Sequence, residues 1–77
     1  MLSKDQIKRF DWDQAVEGAD DDEMLYEGYL TILFKDGTTK YAYLDWVRSS
    51  DEEDFREGNI DALIRYERIY GEIFLVD

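Results

Sequence analysis

The pair Asp36-Gly37, set between two strand-forming runs, limits the fold more than any other feature of this chain. Leu25–Phe34, "LYEGYLTILF", and the run that opens at Lys40, "KYAYLDWV", are rich in aromatic and β-branched residues. Between them "KDGTT" supplies a glycine able to take the positive φ that a tight antiparallel connection demands. A β-hairpin is therefore expected, and its register decides which residues face solvent, because a slip of one residue exchanges the faces. A two-residue loop pairs Lys35 with Thr38 and puts Asp45 on the face of Leu30 and Ile32. A three-residue loop with Gly37 left-handed pairs Phe34 with Thr38 instead. That register gathers Tyr26, Leu30, Ile32, Phe34, Ala42, Leu44 and Trp46 on one face, with Lys40 as its polar member. Glu27, Tyr29, Thr31, Thr39, Tyr41, Tyr43 and Asp45 fall on the other. It separates core from surface better and is the expected register.

The flanking segments read as helix, helix and strand. Ser3 stands at an N-cap position with Gln6 three residues on, and Leu2 with Ile7 has the spacing of a hydrophobic staple. Ile7 and Phe10, then Trp12, Ala15 and Val16, keep apolar spacings of three and four. A helix is predicted from about 4 to 17, in one piece or restarting at Asp11 or Asp13, with Gly18 as its stop. After the hairpin, Ser50 is placed to cap a helix whose first turn holds Asp51, Glu52 and Glu53, where acids favour the positive end of the dipole. Asn59 caps a further helix through Ile60, Leu63 and Ile64. The closing "IFLV", Ile73 to Val76, reads as a buried strand. The expected fold class is therefore α+β, a single small domain of order α-β-β-α-β. Its three-stranded, mainly antiparallel sheet has strand order 2-1-3, with Leu25–Phe34 central and the helices packed on one face. A right-handed return through the second helix makes the last strand parallel to the second.

Charge dominates the composition. Twenty acids against nine bases give −11 over 77 residues. Between Phe10 and Phe34 there are eight acids (Asp11, Asp13, Glu17, Asp20, Asp21, Asp22, Glu23 and Glu27) and neither Lys nor Arg. From Asp51 to Asp61 there are six acids and one base, Arg56. Such a field repels nucleic acid and anionic membrane and accelerates encounter with basic proteins. The bland alternative is that acidity serves solubility alone. With 44% hydrophobic residues the chain has the means to fold. Cysteine is absent, the N-terminal "MLSKDQIKRF" has no signal-peptide pattern, and no apolar run approaches the roughly 20 residues of a membrane span. A cytoplasmic protein is expected.

Catalysis and cofactors find little support. His and Cys, the usual base and the strongest nucleophile, are missing. Ser3, Ser49 and Ser50 read as helix caps, and a chain this short has little room for a substrate cleft of several hundred Å3. An EF-hand loop requires Gly at its sixth position and Glu at its twelfth. Counted from Asp11 these are Val16 and Asp22; counted from Asp20 they are Leu25 and Thr31. The pattern fails, and only weak calcium or magnesium association with Asp20–Glu23 is expected. The glycines are isolated, without phosphate-loop spacing.

Protein binding remains, in three versions. Acids spread over a surface can imitate the phosphates of duplex DNA, which carries a charge about every 1.7 Å of axis. The first tract, Asp11 to Glu27, and a second made of Asp51, Glu52, Glu53, Asp54 and Glu57, would supply them. Tyr29, Tyr41 and Tyr43 add contact area at low entropic cost. In small size, lack of Cys and excess of acids, the whole chain resembles the phage-type inhibitor proteins, anti-CRISPR and anti-restriction DNA mimics. That resemblance implies occlusion of a nuclease or of its DNA- or guide-binding channel, in the host cytoplasm. An immunity or antitoxin protein would instead plug a basic toxin nuclease with a few desolvated acids among aromatics, such as Glu27 and Asp45 with Tyr43. A third version is a homodimer or scaffold joined through the tyrosine face. Glu27 opposite Asp45 opposes this, because like charges facing across strands repel.

Overall fold

A computed structural model describes residues 1–17 and 25–77. At its centre is the hairpin in the three-residue register. Phe34 N–H donates to Thr38 O at 2.9 Å, Gly37 N–H to Phe34 O at 3.0 Å, and Gly37 has φ +92°. The Asp36 carboxylate accepts from Thr38 N–H and Oγ1 at 2.9 and 2.6 Å, closing the turn. The element order is a 3-10 turn Lys4–Gln6, β1 Ile7–Glu17, β2 Leu25–Phe34, β3 Thr39–Arg48, α1 Ser49–Arg56 and α2 Ile60–Tyr70. The class is α+β, as expected, and both strand pairings are antiparallel.

Three expectations are corrected. The predicted helix over 4–17 is a 3-10 turn followed by β1, which pairs with β2 along its length. Apolar residues three apart suggested a helix, but a bulge between Ile7 and Arg9 produces the same spacing in a strand. The extra residue keeps Ile7 and Phe10 both buried on one face. The alternation Phe10-Asp11-Trp12-Asp13 is the period-two signal that the helical spacing masked.

The sheet order is β1-β2-β3 rather than 2-1-3. β2 is central, but its second edge is filled by the N-terminal strand, leaving no ladder there for the chain's last residues. Ile73 to Val76 accordingly forms no strand; it touches the outer edge of β3 through one antiparallel bridge, Tyr41 to Val76. Within it Ile73 is buried, while Phe74 and Val76 are exposed. The third correction concerns Ser50, which lies inside the first turn of α1. Arg48 holds the cap position, with no side-chain cap bond. Asn59 does cap α2, accepting from Ala62 N–H at 3.3 Å.

The core joins Ile7, Phe10, Leu30, Ile32, Ala42, Leu44 and Val47 of the sheet to Phe55, Ala62, Leu63 and Tyr66 of the helices and to Ile73. Phe55 sits among aromatic rings, 6.0 Å from Phe10, 5.5 Å from Trp12 and 5.7 Å from Tyr66 between centroids. Two carboxylates are enclosed with it. Glu52 accepts Trp12 Nε1–H at 3.0 Å and pairs with Arg56 Nε at 3.0 Å. Glu67 accepts the backbone N–H groups of Leu2 at 2.7 Å and Ile73 at 3.0 Å, binding both ends of the described chain to α2.

Gly28 makes the packing of β1 possible. A β-carbon there would stand 2.5 Å from Asp13 O and 2.7 Å from the Trp12 ring. The absent side chain lets Trp12 lie against β2 and reach Glu52. Gly28→Ala should therefore cost about 1–3 kcal/mol, as overpacking does. Thermal unfolding should fall by about 4–8 °C for each kcal/mol, with loss of the near-ultraviolet dichroism of Trp12. An unchanged midpoint would show that β1 can shift to admit the methyl group.

Candidate protein-binding face

Alternation along the three strands projects a second set of residues away from the core. Pairing arranges them in rows across the sheet: Asp13, Tyr29 and Tyr43; Asp11, Thr31 and Tyr41; Arg9, Leu33 and Thr39. Tyr29, Tyr41 and Tyr43 are each about half exposed, at 54%, 47% and 46%. The rings of Tyr29 and Tyr43 meet edge-on with centroids 5.0 Å apart. Tyr43 donates its hydroxyl hydrogen to Glu27 Oε2. Acids gather toward the Asp13 and Glu27 end, and Arg9 marks the other.

A bulge in the pairing of β2 with β3 sharpens this arrangement. Tyr26 pairs with Val47 and Gly28 with Leu44, so Glu27 faces two residues, Asp45 and Trp46, in place of Asp45 alone. The inserted residue turns Val47 into the core, fully buried, and leaves Trp46 60% exposed. Trp46 is thus not the core residue that simple alternation predicts. Nothing in the residue types from Tyr43 to Arg48 announces a bulge, which is why alternation alone misplaces it.

The predicted acids separate into distinct groups. Asp11 and Asp13 are exposed on β1 and lie with Glu27 and the tyrosines on one face, with Asp45 at the bulge beside them. Glu17 ends β1, its backbone opposite Tyr26. Asp20, Asp21, Asp22 and Glu23 lie outside the described residues. The second tract is corrected. Glu52 is 2% exposed and committed to Trp12 and Arg56, so it cannot meet a partner. Asp51 and Asp54 stand 3.6 and 3.2 Å from Arg65 of α2 and brace the two helices. Glu53 on α1 and Glu57 at its C-terminal cap remain exposed. A helix that packs on a core must direct one side inward, and the sequence run gave all five acids equal weight.

Sequence reading passed over several exposed apolar residues. Trp46, Tyr70 and Phe74 are 60%, 43% and 85% exposed, and all three line a groove beside β3. A neighbouring apolar groove is formed by Tyr29, Tyr41, Tyr43, Phe74 and Val76. Among the described residues no group of three or more acids or other metal-binding side chains is placed to hold an ion, and no helix is long and apolar enough to cross a membrane. Comparison with protein-family models, curated proteins and solved structures gives no match to the chain.

Two tyrosines hold their protons more tightly than usual. Donation to the Glu27 carboxylate pushes Tyr43 from 10.0 to about 12, because ionisation would break the bond and set two negative charges together. Burial does the same for Tyr66, also to about 12, with Asp45 adding to the effect. A raised folded-state value means that stability from these groups is complete below pH 10 and is lost as pH rises from about 10 through about 12. Tyrosinate absorbance should show Tyr43 and Tyr66 ionising late. Glu27→Gln should return Tyr43 toward its ordinary value and leave Tyr66 in place. Late ionisation of Tyr43 persisting in that variant would show that the Glu27 bond does not hold its proton.

Proposed function

We propose that the chain is an acidic protein-binding inhibitor that docks through its outer sheet face on a basic nucleic-acid-binding protein or nuclease. The observation carrying this reading is the union of Asp11, Asp13 and Glu27 with exposed Tyr29, Tyr41 and Tyr43 on the face turned from the core. Tyrosine supplies rigid contact area, and carboxylates near it supply steering and register. The net charge of −11 extends the steering beyond the contact itself. Occlusion of a DNA- or guide-binding channel, as in anti-CRISPR and anti-restriction proteins, is the mode we favour.

A second mode draws on one specific observation. With Glu52 buried and Asp51 and Asp54 held by Arg65, the second tract keeps only Glu53 and Glu57 exposed, while Asp11, Asp13 and Glu27 share one sheet face with the tyrosines. A compact acidic plug of that kind suits an antidote that enters the active site of a toxin nuclease. The two modes differ in what the partner loses. A groove-blocking inhibitor abolishes nucleic-acid binding, whereas a plug can abolish cleavage while binding persists.

Affinity capture from cell extract at low and high salt, with mass spectrometry of the retained protein, identifies the partner for direct assay. Purified partner should lose nucleic-acid binding or cleavage when the wild-type chain is added. Asp11→Asn with Asp13→Asn should weaken the complex about threefold to tenfold at low salt, chiefly through the association rate, and flatten its salt dependence. Affinity indifferent to both substitutions and to salt would overturn the reading.

A further inference from the structure

Beside the outer face, between β3 and the segment that follows α2, lies a groove of about 360 Å3. Its aromatic walls include Tyr43 and Trp46 of β3, Tyr70 at the end of α2, and Phe74. Asp45 and Glu72 contribute carboxylates to the same lining. The β3 bulge places Trp46 there, and Gly71, with φ +107°, ends α2 and starts the segment that carries Glu72 and Phe74. Tyr66 stiffens the floor: it stacks on Tyr70 at 4.7 Å and donates its hydroxyl hydrogen to Trp46 O at 3.2 Å.

Aromatic faces bearing carboxylates between them are complementary to an organic cation. Of the two basic side chains, arginine fits better. Its guanidinium is flat, weakly hydrated and able to stack on rings while its edge donates to a carboxylate, whereas lysine presents a strongly hydrated point charge. Glu72 is engaged only at 3.8 Å by the exposed Met1 amino group, a contact a guanidinium can displace.

We infer that this groove receives an arginine side chain of the basic partner, stacked against Trp46 and Tyr70 and paired with Asp45 and Glu72. The inference rests on the basic-partner reading for the source of the arginine, and it deepens that reading by naming the side chain recognised. Tyr43 belongs both to the groove and to the outer face, so an arginine seated here would anchor the edge of the same contact.

The test uses the isolated chain and an end-blocked Gly-Arg-Gly tripeptide, followed by NMR of the indole N–H groups. Trp12, hydrogen-bonded to Glu52, serves as the internal reference. The Trp46 signal should move saturably while that of Trp12 stays fixed. The Lys and citrulline counterparts of the peptide should bind at least about threefold more weakly. Asp45→Asn with Glu72→Gln, both exposed positions, should lower affinity about fivefold, and Trp46→Leu, followed by the backbone N–H signals of Glu72 and Phe74, should do the same with the fold retained by circular dichroism. Equal response to the three peptides, a shift that never saturates, or indifference to the carboxylate variants overturns the proposal. So does movement of the Trp46 signal on concentrating the chain alone, which would assign the groove to a second copy. None of these failures touches the outer-face reading, which the Asp11 and Asp13 variants judge separately.

Discussion

The bond from Trp12 to buried Glu52 joins two elements that local sequence does not bring together. It fastens the edge strand β1 to α1, forty residues away, and positions the Trp12 ring against Phe55. A buried carboxylate is costly to desolvate, and the indole donor and the Arg56 guanidinium offset that cost. Gly28 is the other half of the same arrangement, since the indole occupies the space a side chain would fill. If the carboxylate is removed, a partly buried N–H loses its acceptor, at a cost of about 1–3 kcal/mol. The junction holds α1 against the core side of β1, while backbone pairing with β2 makes β1 a strand.

The hairpin was legible because each signal agreed with the others. Asp36-Gly37 defined the turn, and alternation on both sides selected one register over its neighbour. Asn59 was legible as a cap for a similar reason. The N-terminal strand was not, because a bulge imposes a three-residue spacing that local pattern assigns to a helix. Once β1 occupies the edge of β2, the terminal apolar run has no central ladder to join, so one misread element displaced another. These errors lie in tertiary competition for the edges of β2, which no local window contains.

The candidate face shows the same division. That acids and tyrosines alternate along β2 and β3 could be read from residue order. Which carboxylates are available to a partner could not. Glu52 and Glu53 are neighbours of identical chemistry, yet one is sealed beneath an indole and its neighbour stands in solvent. Arg65 draws Asp51 and Asp54 into the helix pair, and Lys4 meets Asp61 at 2.7 Å. Net charge is a property of the sequence; the shape of the field is a property of the fold.

Bulges in β1 and the single bridge at Val76 have a bearing on assembly. A flat, uninterrupted sheet edge is a template on which other chains can add strands and grow into fibrils. β1 breaks its register twice, between Ile7 and Arg9 and between Gln14 and Val16, which twists that edge out of plane. At β3 both backbone groups of Tyr41 are already bound by Val76, at 2.8 Å each. Sideways polymerisation is hindered at both margins, so a sheet with half-exposed tyrosines can present them to a partner with less risk of becoming a fibril seed.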